Sequence, residues 1–179
     1  MVFCHEWTQV GDGRICVMKL TNSLTATSET PVVLFSASQA PWVKGFASSK
    51  TNNAINFITD GPFMHRCKTT NELIMLWSST GHNDEYCVGI ARSTSGSIAG
   101  PWTHDSDPLF SADGGHAMLA KIFYRKSNCA PTAGDQEVLV LSLHMPNKDM
   151  RNCTPKLFAL LEYQDQKNGL AKFEYYDFV

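Results

Sequence analysis

The sequence has six cysteines, Cys4, Cys16, Cys67, Cys87, Cys129 and Cys153, but lacks any Cys-x-x-Cys pair. That spacing argues against a finger-type zinc site. No apolar run approaches the roughly 18 residues that a membrane helix needs. Positive charge is not in excess: 15 basic against 17 acidic residues give a formal net charge of −2. A basic field for nucleic acid or anionic lipid is therefore missing, and neither partner is expected. No long stretch keeps a 3.6-residue period, so little helix is expected. Phosphate loops, Gly-x-Ser-x-Gly elbows and His-Glu-x-x-His pairs are absent as well. The first residues, Met1 to Trp7, lack a basic leader and a small-residue cleavage site, and do not read as a signal peptide. They read as a strand already in progress, which implies that the chain starts inside a domain. Localisation is not legible.

What is present suits a folded β domain. Apolar residues make up 43% and charged residues 18% of 179 positions, enough for a core and too little charge for a disordered chain. Short runs rich in aliphatic and aromatic residues predict strands. They are Val2–Glu6, Ile15–Leu20, Val32–Phe35, Ile58–Arg66, Leu73–Ser78, Tyr86–Ser93, His116–Tyr124, Glu137–His144, Lys156–Tyr163 and Ala171–Asp177. Gly-Asp-Gly, Thr-Thr-Asn, Gly-His-Asn-Asp, Gly-Pro, Asp-Gly-Gly and Pro-Asn separate them with turn chemistry. Cys4 and Cys16 flank the turn Gly11-Asp12-Gly13. Folding about Asp12 sets Cys16 against Thr8 and Cys4 against Leu20, so the two cysteines do not face each other. Reduced, partly buried thiols are expected. Asn152-Cys153-Thr154 is the lone glycosylation sequon.

The strands repeat. Thr59-Asp60-Gly61-Pro62-Phe63 opens one unit, and Asp113-Gly114-Gly115-His116-Ala117 opens another of the same shape. All-strand repeats of this length predict propeller blades. Positions 1–46 read as a partial blade without an inner strand, 47–110 as a complete blade and 111–179 as a last blade. The expected fold is all-β, a partial β-propeller of two and a half to three four-stranded blades. A closed propeller needs about four blades or more, so exposed blade edges predict self-association.

Inner strands begin at the mouth of the central channel, where Asp60 and His116 are expected to meet. Asp60-Gly61-Pro62 has two readings: a tight turn, or a carboxyl at the channel mouth. In the second, Phe57, Ile58, Pro62 and Phe63 would desolvate it and keep it protonated, ready to donate to a glycosidic oxygen. His116 is either a hydrogen-bonded structural histidine or a ligand. Glu6, Ser79 and His144 fall at equivalent strand ends, as solvated ends or as a polar ring for a hydroxyl-rich ligand. Trp77 reads as core. Trp42, in the loop Ala40-Pro41-Trp42-Val43-Lys44, reads as a surface platform for sugar stacking. Ser111-Ala112-Asp113-Gly114-Gly115 begins like a sialidase Asp-box, but Met118 stands where tryptophan is needed and no second copy exists.

Met1–Trp7, Thr59–Phe63, Ser93–Trp102 ending in Gly-Pro-Trp, and Asp113–His116, in that order, together resemble glycoside hydrolase family 43. The resemblance implies a five-bladed propeller acting on arabinose- or xylose-containing polysaccharides with inversion. It implies that Asp60 is the general acid, where the family usually has Glu before Gly-Pro. It implies that His116 is the axial histidine often found beside calcium, with no cofactor strictly required. It also implies that the base and the tuning aspartate lie upstream of Met1. Two other functions remain open: a non-catalytic carbohydrate-binding remnant, and a protein-interaction propeller. The absence of Trp-Asp strand endings argues against the last.

Overall fold

The computed structural model describes residues 1–124 and 136–175. Cys129 and the last two positions of the expected strand Ala171–Asp177 lie outside them. Strands β1 (Val2–His5), β2 (Arg14–Val17) and β3 (Val32–Ser36) form an antiparallel three-stranded sheet, with a helical turn α1 (Trp7–Val10) between β1 and β2. A two-stranded ribbon follows, β4 (Phe46–Ala47) with β5 (Ile55–Asn56). Then come two four-stranded meanders. The second sheet is β6 (Asp60–Arg66), β7 (Leu73–Thr80), β8 (Tyr86–Ser93) and β9 (Trp102–His104). The third is β10 (Gly115–Tyr124), β11 (Gln136–Met145), β12 (Thr154–Gln164) and β13 (Ala171–Tyr175). The architecture is the expected all-β partial propeller.

The linkers show how the units correspond. Before β6 begins, the Phe57 amide donates to Gly11 and its carbonyl accepts from Gly13. Before β10 begins, Phe110 exchanges two backbone hydrogen bonds with Val88 of β8. Each linker clips onto the third strand of the preceding unit, so β2 matches β8 and β1 matches β7. Among the described residues the first sheet has no strand inside β1.

The core follows the two-residue period of the middle sheet. Ile74 and Leu76 of β7, with Val88 and Ile90 of β8, pack toward Leu119, Leu141, Leu143 and Leu160 of the third sheet. Met75, Trp77, Cys87 and Ala91 pack the other way, onto Ile15 and Phe35 of the first sheet. Both faces are covered, which is why β7 reads as an unbroken apolar run.

A buried ion cluster closes the seam between the second and third sheets. Arg92, 6% exposed, donates through Nε (2.6 Å) and Nη2 (2.9 Å) to the two oxygens of Asp105. It also reaches Glu72 at 3.2 Å and the carbonyl of Ala171 at 2.9 Å. Glu72 in turn accepts from the Ala171 amide.

One expected register is wrong. Trp7–Val10 wind into α1, which takes four residues out of the extended chain. The β1–β2 pairs are therefore Phe3 with Cys16 and Cys4 with Ile15, not the pairs expected from a fold about Asp12. Cys4, Cys16, Cys67, Cys87 and Cys153 are free thiols.

Candidate active site

The inner strands β6 and β10 both open with a bulge. Asp60 pairs with Ser78, yet Phe63 pairs with Leu76, so β6 carries one extra residue. Gly115 pairs with His144, yet Met118 pairs with Ser142. The residues at the same place in the two bulges are Gly61 (φ +52°) and His116 (φ +56°), both left-handed. The counterpart of Asp60 is thus Gly115, and the counterpart of His116 is Gly61. The two site residues do meet, but they are neighbours across a seam rather than equivalent positions.

Close approach explains the glycines. A Cβ on Gly61 would sit 2.9 Å from the His116 Cα, and one on Gly115 would sit 2.2 Å from the Tyr86 ring. His116 tolerates left-handed backbone at a cost of order 1–3 kcal/mol. Its amide is tied to Ser78 Oγ at 2.9 Å. Its ring is directed at Asp60, with Nδ1 3.3 Å from Oδ2.

Asp60 is held from several sides. Gly61 N–H donates to Oδ1 at 2.9 Å, and the Tyr86 hydroxyl donates to Oδ2 at 2.6 Å. Burial, and then the charge of Asp60, push the Tyr86 phenol far above its ordinary range. It therefore stays an O–H donor. The expected apolar setting of Asp60 is replaced by this ring of donors, because Tyr86 and His116 arrive from β8 and β10.

Glu6, which caps α1 just beyond β1, joins from the first sheet. Its carboxylate, that of Asp60 and the Cys4 thiol lie within 4.8 Å of one another. Burial pushes Cys4 up to about 12, and the charges of Asp60 and Glu6 add to this. Glu6 itself is raised, first by burial and then by Asp60, with His116 pulling the other way.

His144 also reaches the site. Its ring centre is 6.0 Å from that of His116 and 5.9 Å from that of Tyr86. Its Nδ1 lies 3.1 Å from Cys153 Sγ. Two expected residues do not belong. Ser79 is fully buried, with no hydrogen-bond partner for its hydroxyl among the described residues. Adjacent strand residues face opposite ways, and it is Ser78 that pairs opposite Asp60. Trp42 is no surface platform. It is 3% exposed and packs 4.9 Å from the Trp77 ring. Gly89 leaves it a slot, since a Cβ there would lie 2.1 Å from the Trp42 ring. Trp77 is core, as expected.

Sequence reasoning missed Tyr86, Ser78 and Cys4. Tyr86 carried one usable signal: a tyrosine opening an apolar strand needs a partner for its hydroxyl.

Antiparallel sheets thus bring Asp60 of β6, His116 of β10, His144 of β11 and Glu6 beyond β1 into one polar cluster, in a propeller-type fold. The chain is similar to the crystal structure of an endo-arabinase from Bacteroides thetaiotaomicron, with 35% identity and a TM-score of 0.73. The match covers 89% of this chain and 50% of that one, so this chain spans about half the length of that structure. No family model and no curated protein sequence matches the chain.

Proposed function

We propose that this chain forms the acid-bearing wall of an arabinose-directed glycoside hydrolase site of the family 43 type. The observation that supports it most is Asp60, partly exposed and fixed by Gly61, Tyr86 and His116, in a fold similar to that of an endo-arabinase. Asp60 is the carboxyl set to address the glycosidic oxygen. Beside it, burial and the charge of Asp60 raise the Glu6 carboxyl above its ordinary range. His116 and His144 offer imidazole nitrogens to sugar hydroxyls. A calcium ion near the channel axis, beside His116, belongs to the same reading; calcium takes six to eight oxygen ligands, so water would supply those that this chain does not.

Inversion needs two carboxyls about 6.5–9.5 Å apart, with a water between one of them and the sugar. Glu6 and Asp60, within 4.8 Å, are too close for Glu6 to be that base. An inverting base would have to be supplied from outside the described residues. Where no such base joins the site a second reading follows, in which the chain binds arabino-oligosaccharide without cleaving it.

Aryl arabinosides, linear arabino-oligosaccharides and their xylose counterparts test both readings. The expected result is binding of an arabino-oligosaccharide, weakened by Asp60→Asn, without hydrolysis. NMR shifts at His116 and His144 would follow the binding. Turnover that Asp60→Asn abolishes would show a complete catalytic set. Absence of binding to any of these sugars would remove the carbohydrate assignment.

A further inference from the structure

A second cluster lies away from this site, where the outer part of β6 meets β12. His65 lies near the end of β6, and Cys67 directly follows that strand. Glu162 comes from β12 in the next sheet. One ligand atom from each of the three lies within 4.8 Å of the other two. Cys67 is 1% exposed, and the side chains of His65 and Glu162 are 12% and 9% exposed. We propose that His65, Cys67 and Glu162 form a binding site for a divalent transition metal of the zinc class, bridging the second and third sheets.

The donor set fits that chemistry. Zinc takes imidazole nitrogen, thiolate sulfur and carboxylate oxygen at bonds of about 2.0–2.3 Å, which puts tetrahedral ligands about 3.5 Å apart. His65 Nε2 and Glu162 Oε2 are already 3.1 Å apart. Glu162 is oriented from behind: the amide and hydroxyl of Thr69 donate to Oε1 at 2.8 and 2.9 Å. Oε2 is the oxygen turned to the cluster. Outer contacts of this kind fix a ligand carboxylate for its metal. Two nearby lysines do not take Glu162 as partner. Lys121 and Lys68 reach Glu137 instead, at 3.0 and 3.8 Å.

An open coordination position is available. A cavity of 170 Å³, lined in part by His65, Thr69 and Glu162, adjoins the cluster. It is large enough for a metal-bound water. Cysteine binds such metals as the thiolate. Metal binding therefore displaces the thiol proton to solvent, and affinity rises with pH. The site is a staple: its ligands come from two sheets, so a bound metal strengthens their seam.

Cobalt(II) titration of the purified chain tests this, read by the sulfur-to-cobalt charge-transfer absorption. A saturable band is expected, displaced by zinc. Zinc should also raise the thermal midpoint, and a chelator should reverse the rise. Cys67→Ser should abolish the band, whereas Cys4→Ser should retain it. Thr69→Val changes an exposed residue and leaves all three ligands, yet should weaken affinity by about 10–100-fold. No band in the wild-type chain, or a band that survives Cys67→Ser, overturns the proposal. If Cys67→Ser does not fold, unchanged cobalt affinity in Thr69→Val overturns it.

Discussion

The second and third sheets have similar apolar runs and opposite fates. In β7, Leu73 to Ser79 are all buried. In β12, Leu157 and Leu161 are 66% and 54% exposed. Met118 and Ile122 of β10 are exposed on the same sheet, and Val138, Val140 and Ala159 form a small separate cluster. The difference is not residue type. The second sheet is covered on both faces, whereas among the described residues the third is covered only where it meets the second. Apolar residues on both faces of a strand thus mark a sheet suited to two neighbours, and here the structure supplies one. Contiguous exposed apolar surface of this kind marks an interaction face.

The largest effects should come from the covered sheet and its seam. Trp77→Ala empties a fully buried site and should cost about 3–5 kcal/mol. Arg92→Ala leaves Asp105 and Glu72 without their cation and should also cost about 3–5 kcal/mol. Leu161→Ala, on the open face, should cost about 1 kcal/mol or less. Urea denaturation of the three variants checks this. Equal losses at Trp77 and Leu161 would mean that the third sheet is covered after all.

The same comparison explains what was legible in the sequence. The ten expected strands and the all-β propeller architecture come from local pattern and hold, but the hairpin about Asp12 does not, and the short strands β4, β5 and β9 were not expected. Register was not legible. The bulge in β10 places a left-handed conformation on a histidine, so no glycine announces it, and the repeat is misaligned by one residue. A slip of one residue exchanges the two faces of a strand, so Ser79 stood in for Ser78. The burial of Trp42 depends on the space at Gly89, far along the chain, and nothing near Trp42 signals it. The approach of Glu6 to Asp60 is likewise tertiary. Asp60, Glu6, His116 and His144 stand out in the sequence as polar residues at strand starts and ends, and the structure brings them close together.

Acid should weaken the seam between the first two sheets before it weakens the open face. His104 packs edge-on against Phe35 and Trp77, with ring centres 4.7 and 5.5 Å away. Both its nitrogens are buried without hydrogen-bond partners among the described residues. Burial pulls it down to about 4 from an ordinary 6.5, against a smaller upward pull from Asp105. The folded state holds the neutral ring while the unfolded chain takes up a proton. Stability is therefore full above about pH 6.5 and falls as pH drops from there toward 4. The loss is at most about 3 kcal/mol. Denaturation midpoints across this range should show the slope, and His104→Phe should flatten it. A slope unchanged in His104→Phe would assign the acid sensitivity elsewhere.

The smallest effect on folding should accompany the clearest effect on association. Leu157→Lys with Leu161→Lys puts two cations on the open face of β12. Neither side chain is in the core, so the denaturation midpoint should barely move. Apolar contact between copies, however, cannot survive two facing ammonium groups without water. If exposed sheet faces drive association, the wild-type chain should elute from a sizing column above its monomer mass, and the double variant at it. Monomeric elution of the wild-type chain with a cooperative melt would show that the open face is tolerated as it stands. The contrast between the two sheets would then be one of burial alone.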